Sequence, residues 1–339
     1  IDLLCEMTTI SRDPGLNSVA ARALFSIIIE NLCDEFEELQ TETYNRVMTQ
    51  VITFCRRLSV GKELDRSLND FRIYSRKDLL ERIKTIRLEA KSLSRHRDIK
   101  KILLLSRVTI GADVAVTSII IQRLAELYPK TEIVLIGGGK LDEIYGGNPR
   151  IRLQKVEYER KGGLLERLSN WQQVLNIIQQ ELASCPLDHT ILVDPDSRLS
   201  QLGVLPIIPS DHYYFFDSRS DVSFAGNMSM AQLTNAWLDK VTGVNDFRYP
   251  GVWLRPGLVQ KAAVLYDRLK NTGTRRVIAI NFGVGGNPRK QVGRLLEQKL
   301  LLSLLKESNT VIVLDKGLGE KELQYSNSLL DAVRQKGYT

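Results

Sequence analysis

The chain is poor in the residues that most often announce cross-linking or catalysis. Four cysteines occur among 339 residues, at Cys5, Cys33, Cys55 and Cys185, with no CxxC pair and no histidine at metal-ligand spacing. That scatter fits neither a disulfide framework nor a zinc site, and it points to a reducing compartment. Three histidines, His96, His189 and His212, lie far apart and join no Ser/His/Asp or HExxH pattern, so hydrolase chemistry finds no support. Long apolar runs are missing too. Ile27 to Ile29, Ile102 to Leu105 and Leu300 to Leu302 stay far below the ~18 residues of a membrane span, and a soluble, cytoplasmic protein is expected. No leader, internal repeat or low-complexity tract is visible, and residue 1 is isoleucine, so the start of the gene product is expected to be absent.

What remains is ordinary globular material. A hydrophobic fraction of 43% and a charged fraction of 26% exclude disordered and fibrous chains, and the length predicts two or three domains. The net charge of +7 is unevenly spread. Residues 1 to 55 hold nine acids and three bases, whereas Arg56 to Arg95 hold twelve bases and six acids. The basic segment 56–101 fits a solvated helix face, a peripheral contact with an anionic membrane surface, or a partner for the acidic helices before it. It lacks interleaved aromatics and a reading motif, so no nucleic acid is expected.

Two regimes follow one another along the chain. Up to residue 98 the apolar residues step by three and four, as in Leu24, Ile28, Leu32, then Val47, Val51 and Phe54, and Ser75 with Asp78 reads as a capping signature. Residues 1–98 therefore read as a small helical domain or appendage with no catalytic set. From Lys101 short apolar runs alternate with helical segments. Strands are predicted at Ile102–Leu105, Ile133–Ile136 and Ile191–Val193, with helices over Val114–Leu127 and Leu164–Leu182, and Tyr213–Phe216 reads as a buried strand. Continuous apolar strands in βαβ order predict a parallel, doubly wound sheet over 99–257. After the Pro- and Gly-rich stretch Gly243–Gly257 the alternation restarts over 258–339, with strands at Val277–Ile280 and Val311–Leu314. About 65 residues after Arg275 are too few for a second complete domain, so this part is expected to be partial.

Candidate chemistry lies in the βα turns, because ligands of open α/β sheets bind at the carboxyl ends of strands. The first turn carries Gly111 and Asp113, either a cleft carboxylate or a helix cap. The turn of the later domain reads Asn281-Phe282-Gly283-Val284-Gly285-Gly286-Asn287-Pro288-Arg289-Lys290. Its glycines, a following helix N-terminus and Lys290 suit a diphosphate, although it is neither a Walker A loop nor GxGxxG. Gly137-Gly138-Gly139-Lys140 ends the second strand without a P-loop continuation. Asp194-Pro195-Asp196 after Ile191–Val193 is either a D-x-D metal site or a polar strand-terminal turn; Asp194 and Arg198 count as candidates on this side.

Taken in order, Lys101–Pro129 (KILLLSRVTIGADVAVTSIIIQRLAELYP), Asp188–Ser200 (DHTILVDPDSRLS) and Arg276–Gly317 resemble glycosyltransferase family 9, the ADP-heptose:lipopolysaccharide heptosyltransferases. The resemblance covers roughly residues 100 to 325. It implies a GT-B fold of two Rossmann-like domains and inverting, metal-independent transfer of a sugar, such as a heptose, to a glycan, glycolipid or protein acceptor. No cofactor is implied beyond the nucleoside-diphosphate sugar, which is a substrate. By the same resemblance Asp113 is the general base, Lys290 the phosphate ligand with Gly283, Gly285, Gly286 and Asn287 around it, and Glu320 the ribose contact; Gly111, Asp194 and Arg198 lie on the acceptor side. Ala112 separates Gly111 from Asp113, where the family has the two adjacent, and the family's late Asp-Ser-Gly…His segment is absent. A metal-dependent transferase using Asp194 and Asp196, and a noncatalytic GT-B relative that self-associates through the helical region, remain open.

Overall fold

The computed structural model describes residues 1–339 apart from 10–12, 35–36, 90, 159–161, 220–226, 272, 274–275, 285–290, 308, 318 and 339. It divides into two compact units, Ile1–Arg255 and Pro256–Thr339.

In the first unit five parallel strands stand in the order β3-β2-β1-β4-β5, with β1 at Lys101–Leu105, β2 at Glu132–Gly137, β3 at Ile151–Lys155, β4 at Thr190–Asp194 and β5 at Tyr213–Phe215. Before the sheet come α1 (Asp2–Thr9), α2 (Pro14–Arg22), a π-helical stretch (Ala23–Ile29), α3 (Glu30–Asp34), α4 (Glu38–Arg57), α5 (Lys62–Asp70) and α6 (Arg76–Leu88). Local chemistry sets their starts. Asp13 accepts from the N–H of Gly15 at 2.8 Å with Pro14 behind it, and Ser75 and Asp78 close a reciprocal capping box. Within the sheet, α7 (Ser118–Leu127), α8 (Leu141–Tyr145), α9 (Leu164–Ser184) and α10 (Met230–Thr242) connect or flank the strands.

Alternate residues of each strand feed two cores. Ile102, Leu104, Ile133, Leu135, Ile191 and Val193 pack with α7, Tyr145 and α10. Leu103, Leu105, Val134, Ile136 and Leu192 pack with α9 and with residues from Cys5 to Ile86. Residues 1–98 fall in the same compact unit as the sheet. Residues 1–88 are the second cover of the sheet, because strands apolar on both sides must be covered twice.

The basic segment also has a different use from a free surface. Arg56 reaches Asp65, Asn69 and the Ile73 carbonyl; Arg82 donates to the Gly203 carbonyl and lies 5.1 Å from the Tyr213 ring centre. Arg87 pairs with Asp217, and Lys91 donates to the carbonyls of Ser210 and Tyr213. These cations fasten helices to the sheet and cap its β5 edge. The continuous helix Pro14–Asp34 is long and apolar enough by composition to cross a membrane, at mean hydropathy 1.3, which the count of unbroken apolar runs overlooked; it packs on the core through Leu24, Phe25, Ile29 and Cys33. All four cysteines are buried and free, and burial pushes Cys5 up to about 11 and Cys55 to about 12.

The second unit holds α11 (Pro256–Lys270), β6 (Arg276–Asn281), α12 (Arg294–Leu305), β7 (Thr310–Asp315) and α13 (Glu320–Arg334), with β6 and β7 parallel from Arg276↔Thr310 to Asn281↔Asp315. Its core is small, centred on Leu301, Leu329 and Val333.

At the amino end of β1 a buried ion network closes the first unit. Lys101 Nζ donates to Glu181 Oε2 at 2.7 Å and to Ser184 Oγ at 2.6 Å, and Arg152 adds a two-pronged contact to the same carboxylate. Hydrogen bonds from Arg152, then Lys101 and Gln154, outweigh burial and hold the Glu181 carboxyl at about 2, below its usual 4.5. A lowered acid pKa contributes stability that is present above pH 4.5 and lost as pH falls towards 2. Glu181→Gln is expected to cost about 3 kcal/mol at pH 7. In urea titrations the gap to wild type should close between pH 4.5 and 2; a gap independent of pH would refute the assignment.

Candidate functional site

The strand order reverses direction of progress between β1 and β4, so the crevice of the first unit opens where the turns after these two strands diverge. Ser106 to Ala112 follow β1, and Pro195 to Ser197 follow β4. Ser197 Oγ ties the two by donating to the Ser106 carbonyl.

Asp113 begins a π-helical stretch, Asp113–Thr117, a backbone form often found at functional sites. Its Oδ2 accepts from Ser106 Oγ at 2.8 Å, and its Oδ1 accepts from the Arg107 N–H and from Thr117 Oγ1, both at 2.8 Å. Its carbonyl takes the Tyr145 hydroxyl at 2.7 Å. The residue is 1% exposed. Burial raises the pKa of its carboxyl, and the three donors and the Arg107 charge pull it back. In this arrangement the carboxylate anchors the turn, with both oxygens already filled. Val108, between the anchor's donors and the surface, has φ 73°, a strained value for a β-branched residue. Gly111 is exposed, and an added Cβ there would meet no atom within 4 Å.

Across the crevice the D-x-D pair is occupied by the protein itself. Asp194, 0% exposed, accepts from the Ser197 N–H at 2.7 Å and from the Tyr213 hydroxyl at 2.6 Å, and burial raises its pKa. Asp196, at φ 62°, pairs with Arg219 and accepts from Ser218 Oγ at 2.6 Å, with Arg107 Nη2 at 3.7 Å. These contacts leave the two carboxylates committed to protein donors, and among the described residues no group of three or more His, Cys, Asp or Glu could hold a metal ion. In this structure Asp194 and Asp196 are hydrogen-bonded turn residues. Arg198 is half-buried and lies 3.5 Å from Asp34 of the helical region.

At the carboxyl ends of β6 and β7 a second polar set forms. Asn281 Nδ2 donates to Asp315 Oδ2 at 2.7 Å, while the Gly283 N–H donates to Asn281 Oδ1 and the Gly317 N–H to Asp315 Oδ1. Gly317 is required here: at φ 75°, an added Cβ would lie 2.4 Å from Glu322 Oε2. Glu320 opens α13, exposed, and accepts from Gln324 Nε2 at 3.2 Å. Gly285, Gly286, Asn287 and Lys290 lie outside the described residues. Sequence reasoning missed Arg107, Ser218, Arg219 and the Asn281–Asp315 pair. The available signal was a polar residue directly after an apolar run, which Asn281 and Asp315 satisfy, with Arg107 one residue further on after Ser106.

The two conspicuous residues of the first turn should behave oppositely on substitution. Asp113→Ala leaves three donors unsatisfied in a buried place and is expected to cost roughly 2 to 4 kcal/mol in chemical denaturation. Gly111→Ala should stay within about 1 kcal/mol of wild type, since the position is helical and open. A loss above about 2 kcal/mol in the second variant would show that the turn does need glycine there.

The solved structures to which the chain is similar in fold include a glycosyl transferase of family 9 from Veillonella parvula DSM 2008, at 19% identity over 69% of this chain and 67% of that one, with a TM-score of 0.49. ADP-heptose LPS heptosyltransferase II from E. coli is similar at 12% identity over 68% of each chain, with a TM-score of 0.45. No protein-family model and no curated protein sequence matches the chain.

Proposed function

We propose that the chain is an inverting, metal-independent glycosyltransferase that moves a sugar from a nucleoside diphosphate to the hydroxyl of a glycan, glycolipid or protein acceptor. The observation that carries this reading is the turn after β1, where a buried carboxyl of raised pKa stands at the switch point of a doubly wound sheet. The first unit takes the acceptor and the second the donor.

The step balances simply. The acceptor oxygen attacks the anomeric carbon, the bond from that carbon to the diphosphate oxygen breaks, and the hydroxyl proton passes to Asp113. The departing diphosphate carries the electron pair. Lys290 and the glycines Gly283, Gly285 and Gly286 meet its charge in this reading, and Glu320 meets the ribose, as the family resemblance implies. Asp113 must be uncovered for its part, and strained Val108 is the place where the turn opens: relaxing φ there offsets the loss of the Val108 N–H bond to Ser106 Oγ. A positioned base of this kind contributes about 10² to 10⁴ in rate.

The filled oxygens of Asp113 favour a second reading, a sugar-nucleotide-binding relative in which the residue is only an anchor. One substitution separates the two. Asp113→Asn can keep the turn, because its Oδ1 still accepts from Arg107 and Thr117 while Ser106 Oγ rotates to accept from the new amide. After a thermal-shift screen of ADP-, GDP-, UDP- and TDP-sugars has identified the donor, the variant should bind it normally and lose about 10² to 10⁴ in kcat. In wild type the rate should rise with pH through a carboxyl pKa above 3.8, since only the ionised form accepts the proton, and EDTA should leave it unchanged. Undiminished turnover in the Asn variant removes Asp113 from the chemistry.

A further inference from the structure

The stretch from Val244 to Arg255 has no regular backbone, yet it belongs to the first unit and is tied along it as a strap. The Trp253 N–H donates to the Ile144 carbonyl at 2.7 Å, and the Gly147 N–H donates to the Trp253 carbonyl at 2.8 Å. Arg255 Nη2 meets both Asp142 oxygens, at 2.6 and 2.7 Å. Gly147 permits this close approach: an added Cβ would lie 2.2 Å from the Leu254 carbonyl oxygen. Earlier in the strap, Gln122 Nε2 donates to the Tyr249 carbonyl at 2.9 Å, and the Gly251 N–H donates to Ser118 Oγ at 3.0 Å.

Two of these ties lead to the π-helical stretch that carries Asp113. Ser118 Oγ, which accepts from the strap, donates in turn to the Val114 carbonyl at 2.6 Å. Tyr145 is 2% exposed, and its ring centre lies 5.8 Å from that of half-buried Trp253. Its hydroxyl donates to the Asp113 carbonyl at 2.7 Å. That carbonyl also takes the Ser118 N–H, the longer bond that makes this turn π and not α. Both Asp113 and Val114 thus receive a side-chain hydroxyl at the main chain, and each hydroxyl is in contact with the strap. A buried hydroxyl is costly without a partner, so Tyr145 and the Asp113 carbonyl hold each other in place. Ser106, Arg107 and Thr117 fill the side chain of Asp113 instead. The two sets are separable: Ser106 and Arg107 can leave the carboxylate while Tyr145 keeps the main chain.

We propose that Tyr145 is a positioning residue for Asp113, and that Trp253, seated against the Tyr145 ring by the strap, is a second one acting through it. The proposal rests on Asp113 being the base. Uncovering the carboxylate moves the turn before it, and a base contributes only within hydrogen-bond reach of the acceptor oxygen. Tyr145 fixes the main-chain end of Asp113 during that movement, so the carboxylate opens without drifting.

The test removes a single hydroxyl from the full chain. Tyr145→Phe keeps the ring against Trp253, and kcat should fall about 2- to 10-fold while KM for the nucleotide sugar stays unchanged. Amides from Val114 to Ser118 should exchange hydrogen about 2- to 10-fold faster, in the absence of any ligand. Trp253→Leu, which loses the ring and keeps apolar bulk, should reproduce both changes, and Trp253→Phe should return within about twofold of wild type. The double variant Tyr145→Phe with Trp253→Leu should lose no more than the larger single loss, because one residue acts through the other. Tyr74→Phe, which removes a hydroxyl from a residue 67% exposed, serves as the control and should match wild type. Full turnover in Asp113→Asn removes the base and, with it, anything that positions a base. Beside an inactive Asp113→Asn, unchanged kcat or unchanged exchange in Tyr145→Phe, or losses at Tyr145 and Trp253 that simply add, overturns this proposal alone.

Discussion

Everything in the first unit depends on covering a parallel sheet on both faces. The strand Lys101–Leu105 is buried along its whole length, and its side chains alternate between two cores. Each fully buried Leu or Ile contributes about 1.5 to 3 kcal/mol only while its own face stays covered. One face is closed by α7 and α10. The other is closed by α9 together with the N-terminal helices, whose Tyr44, Met48, Ile52 and Cys55 line up at helical spacing towards it. Removing residues 1–88 would uncover that face wherever α9 does not reach, which makes this region part of the fold and not an appendage to it.

The same constraint explains the charges. An edge strand offers unpaired backbone groups, and β5 is one edge of this sheet. Lys91 takes the Ser210 and Tyr213 carbonyls there, Arg97 donates to the Tyr214 hydroxyl at 2.8 Å, and Arg87 pairs with Asp217. Asp217 immediately precedes Ser218 and Arg219. The fastening of α6 and the segment after it to the sheet therefore also positions the residues that complete the crevice, so a basic run that resembles a free surface in sequence serves the site from within.

Much of the architecture was legible because burial on both faces leaves a plain mark. The strands β1, β2 and β4 each hold an unbroken apolar run, and the alternation of strand and helix follows from them. The strand Ile151–Lys155 escaped notice because IRLQK mixes apolar with charged residues, as suits a sheet edge with only partial burial. Which surface the N-terminal helices cover could not be read, since a 3.6-residue stripe shows that a face is buried but not against what. At the site, position along the chain marked out Asp113. Its three donors, and the Arg107–Ser218 contact across 111 residues, depend on the folded turn. Asp194 and Asp196 read as a metal pair for the same reason: spacing shows two carboxylates together, while the donors that fill them arrive from Tyr213, Ser218 and Arg219.

How the fold treats buried charge elsewhere makes the crevice stand out. Arg123 is 4% exposed, and its guanidinium is surrounded by acceptors from Asp239, Asn235, Thr242, Val244 and Asp246. Lys101, also 4% exposed, meets the Glu181 carboxylate and carbonyl and the Ser184 hydroxyl. Both lie in places that hold the structure together, and both are saturated. Arg107 comes from the same sequence and is buried to a similar depth, yet it keeps an unfilled Nη1 and shares its carboxylate with a second arginine. A chain able to satisfy Arg123 from five residues is not short of acceptors in general. That unfilled Nη1 belongs to the residue just before strained Val108, in the turn where the strand order of the first sheet reverses.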